Sequence, residues 1–326
     1  MIKKTFQVKG SKEIRLDKYL SSLMENESRN IIKHHIKNSS IVVNGKSIKP
    51  SYLLQDGDVI DVLINFEKKI VNSALVPEDI DIDVLYEDQD IIAVNKPSGL
   101  VIHPGIQNEK GTLANGLVYH FDKLSDVNGN NRRGIVHRLD ADTSGVVLVA
   151  KTNESHQWLA NQFKTRTIQK VYYAITWGKW SMIEGIIEGK MIRKKSDPTS
   201  YTIGNSKNGK YSKSLFKVLK QFSNFSCLEF RPHTGRTHQI RVHASSVGNP
   251  IFGDEKYGGG IKKSNEFNPK FGKNASNLIS TINRHALHAS SIEFELMNSN
   301  GKRIKIDSPI PEELISLEKS LAKYEN

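Results

Sequence analysis

Residues 134–145 read GIVHRLDADTSG, and residues 231–243 read RPHTGRTHQIRVH. The first stretch sets two carboxylates two positions apart behind a basic pair. The second packs three arginines and three histidines into thirteen residues. Asp142-Thr143-Ser144-Gly145 is turn chemistry, because Asp, Ser and Thr side chains bond nearby backbone groups and Gly takes unusual angles, so Asp142 is assigned a structural role. Asp140 follows His137, Arg138 and the apolar Leu139, where a carboxylate needs a positive partner to stay charged in a cleft. Spacing alone leaves two accounts of Asp140 open: an acid with chemistry to perform, or an ordinary Arg–Asp pair bracing a loop.

His233, His238 and His243 recur every five residues, which suits neither one helix face nor an HExxH zinc pattern. Arg231, Arg236 and Arg241 would also oppose a bound cation, so no metal site is expected. The segment fits a phosphate-contacting surface, with Arg241, between Ile240 and Val242, as its buried member and the candidate partner of Asp140. The chain has no P-loop or GxGxxG fingerprint, so no nucleotide cofactor is expected.

These residues need elements to hold them. The stretch IDVLYEDQDIIAVNKPSGLVIHPG predicts a strand entering a Lys-Pro-Ser-Gly turn, and GTLANGLVYHF predicts a helix. VVLVAK, VYYAITWG, YTIG, SLFKVLKQF, FSCLEFRP and SIEFELM are strand-length apolar or β-branched runs with few helical segments between them. They predict an α+β domain around an extended, mixed or mostly antiparallel sheet. The segment GGGIKKSNEFNPKFGKNASN before RHALHA is expected to be a long polar loop.

Ahead of this domain, Leu16, Tyr19, Leu20 and Leu23 recur at helical spacing. Ser28 is a candidate N-cap for a second helix carrying Ile31, Ile32 and Ile36. Ile41-Val42-Val43, then Asn44-Gly45 and Lys46-Ser47-Ile48, give a hairpin signal with a type I′ turn, and GDVIDVLI adds a strand. EKKIVNSALVPED, punctuated by Pro77, marks a linker. The expected division is residues 1–66, a linker at 67–79 and a large domain at 80–326.

Composition narrows the partner. The 326 residues carry 47 Lys+Arg against 35 Asp+Glu, a net charge of +12, which favours a polyanion such as nucleic acid over a neutral metabolite. A lysine-rich composition with no such partner is the alternative on charge alone. The single cysteine, Cys227, excludes an internal disulfide framework and points to a reducing compartment. No apolar leader or run of about eighteen apolar residues occurs, so a cytoplasmic protein without a membrane span is expected.

The residues 14–64 resemble the S-four-type RNA-binding domain, with Asn38-Ser39-Ser40 where a glycine often precedes the hairpin. That resemblance implies an RNA-facing surface at Arg15, Ser28, Arg29 and Lys33. KPSGLVIHPG, GTLANGL, GIVHRLDADTSGVVLVAKT, KVYYAI, HTGRTHQIRVHASSVGNPIFGDEKYG and RHALHA, in that order from about residue 80 to 290, resemble the RluA family of pseudouridine synthases. Within that family they are most similar to the large-subunit ribosomal RNA subgroup, RluD. The resemblance implies isomerisation of uridine to pseudouridine without a cofactor, with Asp140 catalytic, Tyr172 from the K-x-Y motif stacking on the base, and Arg241 holding the aspartate. It further implies Arg138 filling the gap left by a flipped base, His137, Arg236 and His238 as RNA contacts, and Leu287 in the substrate pocket. Large-subunit rRNA or an assembling ribosomal subunit is the implied partner, and a monomer is the default expectation. A noncatalytic RNA-binding or ribosome-assembly protein on the same fold is the alternative.

Overall fold

The computed structural model describes residues 2–10, 13–24, 29–64, 75–105 and 108–324. The chain divides into two compact units, Met1–Ser73 and Ala74–Asn326.

The small unit runs β1 (Ile2–Gln7), α1 (Leu16–Leu23), α2 (Arg29–Lys37), β2 (Ile41–Val43) and β3 (Val59–Ile64). Both helices close on one cluster: Leu16, Leu20, Ile32 and Ile36 are fully buried with Ile41 and Ile60. Asn44 and Gly45 take φ of 51° and 73°, the pair of positive angles that a type I′ turn requires. The expected hairpin arm at 46–48 contributes only the bridge from Val43 to Lys46. β2 pairs instead with β3, and β1, absent from the sequence expectation, covers the other edge of β3. Ser39 sits at φ 57° and turns the chain out of α2.

The large unit is built on a ten-stranded mixed sheet. In chain order it contains β4 (Asp83–Glu87), β5 (Ile91–Lys96), α3 (Leu113–His120), β6 (Ser144–Ala150), α4 (Asn153–Thr165), β7 (Gln169–Trp177), β8 (Glu184–Arg193), β9 (Tyr201–Ile203), β10 (Lys210–Gln221), β11 (Phe225–Pro232), α5 (Gln239–Ser246), α6 (Ile261–Ser264), α7 (Pro269–Ile282), β12 (Leu287–Glu295), β13 (Arg303–Asp307) and α8 (Glu312–Ala322). The spatial order is β4-β5-β6-β12-β7-β11-β10-β8-β9, with β13 on β12. Among the described strands only β6 and β12 pair in parallel, His288 beside Ser144 and Ala289 beside Gly145. Every residue of β6 is buried, which explains its unbroken apolar run, whereas β10 alternates with Ser212, Ser214, Phe216 and Val218 inward.

Gly145 is required where β6 meets β12: its φ is 115°, and a Cβ there would lie 2.2 Å from the Ala289 carbonyl oxygen. The stretch expected to be a polar loop before RHALHA is helical. Asn268 caps α7, Pro269 opens it, and Phe271, Ala275 and Ile279 form one buried stripe. Two core clusters flank the centre of the sheet, and the Tyr172 ring packs against both.

Candidate active site

The sheet order brings the motifs together. Asp140 precedes β6, Leu287 opens β12, Tyr172 lies on β7, and the chain leaving β11 turns into α5, which carries Arg241. All four side chains line one cavity of about 480 Å³.

Asp140 stands on a loop fixed from several sides. Lys96, fully buried, donates from Nζ to the carbonyls of Pro97, Leu100 and Ala141, and the Gly99 N–H also reaches Ala141. The Ser98 hydroxyl donates to the Asp142 carbonyl at 3.0 Å, Arg284 reaches the same oxygen at 3.2 Å, and Thr143 Oγ1 meets His285 Nε2 at 2.8 Å. Burial draws the Lys96 pKa down to about 7, against the pull of Asp142. Asp142 and Thr143 thus belong to the framework, and Asp140 is left facing the cavity.

Arg241 grips two acids. Its Nε and Nη2 fork onto Asp254 at 2.7 and 2.8 Å, while Nη1 reaches Asp140 Oδ2 at 3.1 Å. Asp254 is buried, and the guanidinium lies 5.0 Å from the Tyr257 ring centroid. Burial opposes the charge on Arg241, but Asp254 and Asp140 together outweigh it and raise its pKa above the ordinary arginine value. The helix carrying Arg241 is itself tied to β10: His243 Nε2 meets Ser212 Oγ at 2.8 Å, and Gln239 Nε2 donates to Ser214 Oγ at 2.9 Å. Ser212 also donates to the Gly189 carbonyl, so its single proton is used there and His243 is the donor in their bond.

Tyr172 borders the cavity beside Asp140. Burial, and then the Asp140 charge, push its pKa well above the ordinary tyrosine value, so the phenol stays protonated at neutral pH. Tyr173 points away and donates to Glu318 at 2.7 Å. Leu287 is buried at the start of β12 and supplies an apolar wall.

The remaining expected contacts divide. Arg138 is exposed at the cavity, and Arg236 lines it with Nε donating to the Tyr211 carbonyl at 3.1 Å. His137 accepts the Leu148 N–H on Nε2 at 2.8 Å and packs on Phe163, so it braces the loop against β6. Burial, then Lys170, hold its pKa down to about 3. His238 sits at φ 58° with Nδ1 2.7 Å from the Tyr257 hydroxyl and Nε2 3.9 Å from Asp140 Oδ1. In the small unit, Arg15 forks onto Asp17 at 3.0 and 3.1 Å, and Lys33 approaches the same acid at 3.7 Å. Ser28 and the Arg29 side chain lie outside the described residues, as does most of the expected linker. Asp254 and Tyr257 were not singled out from the sequence; their signal was the GDEKY segment, a tight turn placing an acid and an aromatic three apart.

Among the described residues, no cluster of three or more His, Cys, Asp or Glu side chains is arranged to hold a metal ion. No helix among them is long and apolar enough to cross a membrane.

The comparisons agree with this geometry. Residues 90–246 match the model for RNA pseudouridylate synthase, and residues 14–60 match that for the S4 domain. An uncharacterized RNA pseudouridine synthase, YlyB of Bacillus subtilis, is 37% identical, covering 96% of this chain and 95% of its own length. The ribosomal large subunit pseudouridine synthase D of Blochmanniella floridana is 34% identical, with 95% of each chain covered. The structure of human RNA pseudouridylate synthase domain containing 1 shares the fold at a TM-score of 0.54 and 23% identity, over 75% of this chain and 96% of that one. Both matched models occur here in the order the motifs implied, and near-full-length relatives carry the same description: this chain belongs to the RNA pseudouridine synthases of the RluA type, which are isomerases.

Proposed function

We propose that this enzyme isomerises uridines of large-subunit ribosomal RNA, using Asp140 as the catalytic carboxylate on a base flipped out of its stack. The observation that carries the reading is the Arg241 fork. One guanidinium, locked on buried Asp254, presents its remaining Nη1 to Asp140 at 3.1 Å inside a cavity bordered by Tyr172. The rRNA target follows the names of near-full-length relatives such as that of Blochmanniella floridana.

The reaction breaks the bond from ring nitrogen one to the ribose, turns the uracil, and joins ring carbon five to the same ribose carbon. Carbon five loses its proton and nitrogen one gains one, so atoms balance without redox change or net hydrolysis. Asp140 serves either by attacking the ribose carbon or by taking a proton, and both routes need the carboxylate ionised and in contact with the nucleoside. Arg241 stabilises that ionised form and fixes its orientation. Tyr172 offers a ring for the base to stack on, Leu287 an apolar wall, and Arg138 a side chain to fill the vacated stack. Flipping costs a few kcal/mol, less in a loop or bulge.

Arg15, Ser28, Arg29 and Lys33 of the small unit add RNA affinity, Arg236 and His238 contact the substrate at the cavity, and the enzyme acts as a cytoplasmic monomer. Site-resolved pseudouridine mapping of total RNA tests the reading in cells with the wild-type protein, without it, and with Asp140→Ala. Loss of large-subunit sites in both altered strains is the expected result; unchanged pseudouridine in either one refutes it.

A further inference from the structure

The cavity holds more positive charge than the handling of Asp140 uses. Lys164, Arg166, Lys170 and Arg236 all line it, outside the cluster of Asp140, Arg241 and Asp254. Among the described residues none of the four forms an ion pair, whereas Arg241 has two. Their placement is built in. Lys164 occupies the last turn of α4 and Arg166 caps that helix in the left-handed conformation at φ 65°, while Arg236 is pinned to the Tyr211 carbonyl. Lys170, near the start of β7, directs its ammonium toward the loop that follows β11: a Cβ added to Gly235 would lie 3.7 Å from its Nζ.

Lys170 is half-buried, and an ammonium partly withdrawn from water without a counter-charge is costly unless a ligand completes it. Asp140, the one acid of the cavity lining, is already engaged by Arg241. The missing partner is therefore an anion brought by the substrate. We propose that Lys170, flanked by Arg236 and by Lys164 and Arg166 at the end of α4, forms a phosphate subsite that holds the backbone of the nucleotide whose base enters the cavity. This rests on the reading of the cavity as the one that receives the flipped uridine. Lysine suits the task because its compact ammonium donates to a phosphate oxygen from several directions as the ribose moves during isomerisation. Fixing the phosphate anchors the sugar while the uracil is detached and turned.

Burial draws the Lys170 pKa from 10.5 down to about 8. The Lys170 ammonium of the free enzyme is therefore mostly charged below pH 8 and mostly neutral above it, and the subsite weakens across that interval.

Uridine 3′,5′-bisphosphate and uridine serve as probes in calorimetric titrations of the full chain at pH 7.5. The wild-type protein is expected to bind the bisphosphate at least about tenfold more tightly than uridine, a factor equivalent to one charge-assisted contact. Lys170→Met should remove most of that gain and Lys170→Arg should keep it. At pH 9.5 the wild-type gain should shrink, and that of Lys170→Met should not change. Equal binding of the two probes by the wild type, or an undiminished gain in Lys170→Met, overturns the proposal. If Lys170→Met does not fold, the wild-type pH series and Lys170→Arg decide the matter. Tritium release from RNA labelled at uridine carbon five is measured in parallel on the wild type. Release without a Lys170-dependent gain rejects the subsite alone; a Lys170-dependent gain without release rejects the isomerase reading of the cavity alone.

Discussion

The two walls of the cavity are charged in opposite styles. On the Asp140 wall the buried charges are compensated: Arg241 binds two acids, Asp254 accepts its fork, and buried Lys96 spends its three donors on carbonyls. On the wall formed by α4, the start of β7 and the loop after β11, Lys164, Arg166 and Lys170 have no ion-pair partner among the described residues. Compensated charges hold geometry; uncompensated ones wait for a ligand. Substitutions on the first wall should therefore cost turnover and stability, and substitutions on the second should cost affinity and its dependence on pH and salt.

The largest effect belongs to Asp140. Asp140→Asn should lower turnover by at least about a thousandfold while leaving RNA affinity within a few-fold, as expected when a reacting group is removed and binding contacts stay. Equal losses in kcat and in RNA affinity would erase the contrast between the walls. Asp254→Asn comes next, because it strands a buried guanidinium. A loss of about 3–5 kcal/mol in a denaturant melt is expected from breaking such a pair, with turnover falling as Asp140 loses its fixed partner. A melt within 1 kcal/mol of wild type would show that the fork positions nothing.

Arg241→Lys tests geometry at constant charge. A lysine cannot fork onto Asp254 and reach Asp140 together, so turnover should drop by about a hundredfold with KM little changed. A wild-type rate would mean that charge alone suffices. On the opposite wall, KM for RNA should rise as pH passes about 8, where the Lys170 amine deprotonates, and the rise should vanish in Lys170→Met. The smallest effect is expected in the small unit: Arg15→Gln should flatten the slope of log affinity against log salt by less than about one phosphate contact, since Asp17 already engages that guanidinium. An unchanged slope would remove Arg15 from the RNA surface.

The legible part of this architecture was the part written in local pattern. β6, β7, β10 and β11 were visible because their apolar and β-branched runs are long, and α3 because GTLANGL opens with a capping threonine. β8 is hidden because Gly185, Gly189, Glu184, Glu188 and Lys190 break its apolar residues into two short pairs, Ile186-Ile187 and Met191-Ile192. α7 was mistaken for a loop because glycines and asparagines surround a single stripe of Phe271, Ala275 and Ile279, too narrow to outweigh its polar composition. In the site, Asp140 and Arg241 could be paired from their motifs, but their separation of 101 residues is closed only by the sheet. Asp254 escaped notice because its role depends on a turn that carries it back onto α5, and Lys170 because a lysine's burial cannot be read from its neighbours in sequence.

The central claim is that Asp140 drives isomerisation of uridine. RNA transcribed from large-subunit rRNA sequence with tritium at uridine carbon five tests it most directly, because each isomerisation releases that hydrogen to water. Wild-type enzyme should release tritium in step with the pseudouridine formed, and Asp140→Asn should bind the same RNA and release none. Release by Asp140→Asn at the wild-type rate, or none by the wild type, would contradict the account.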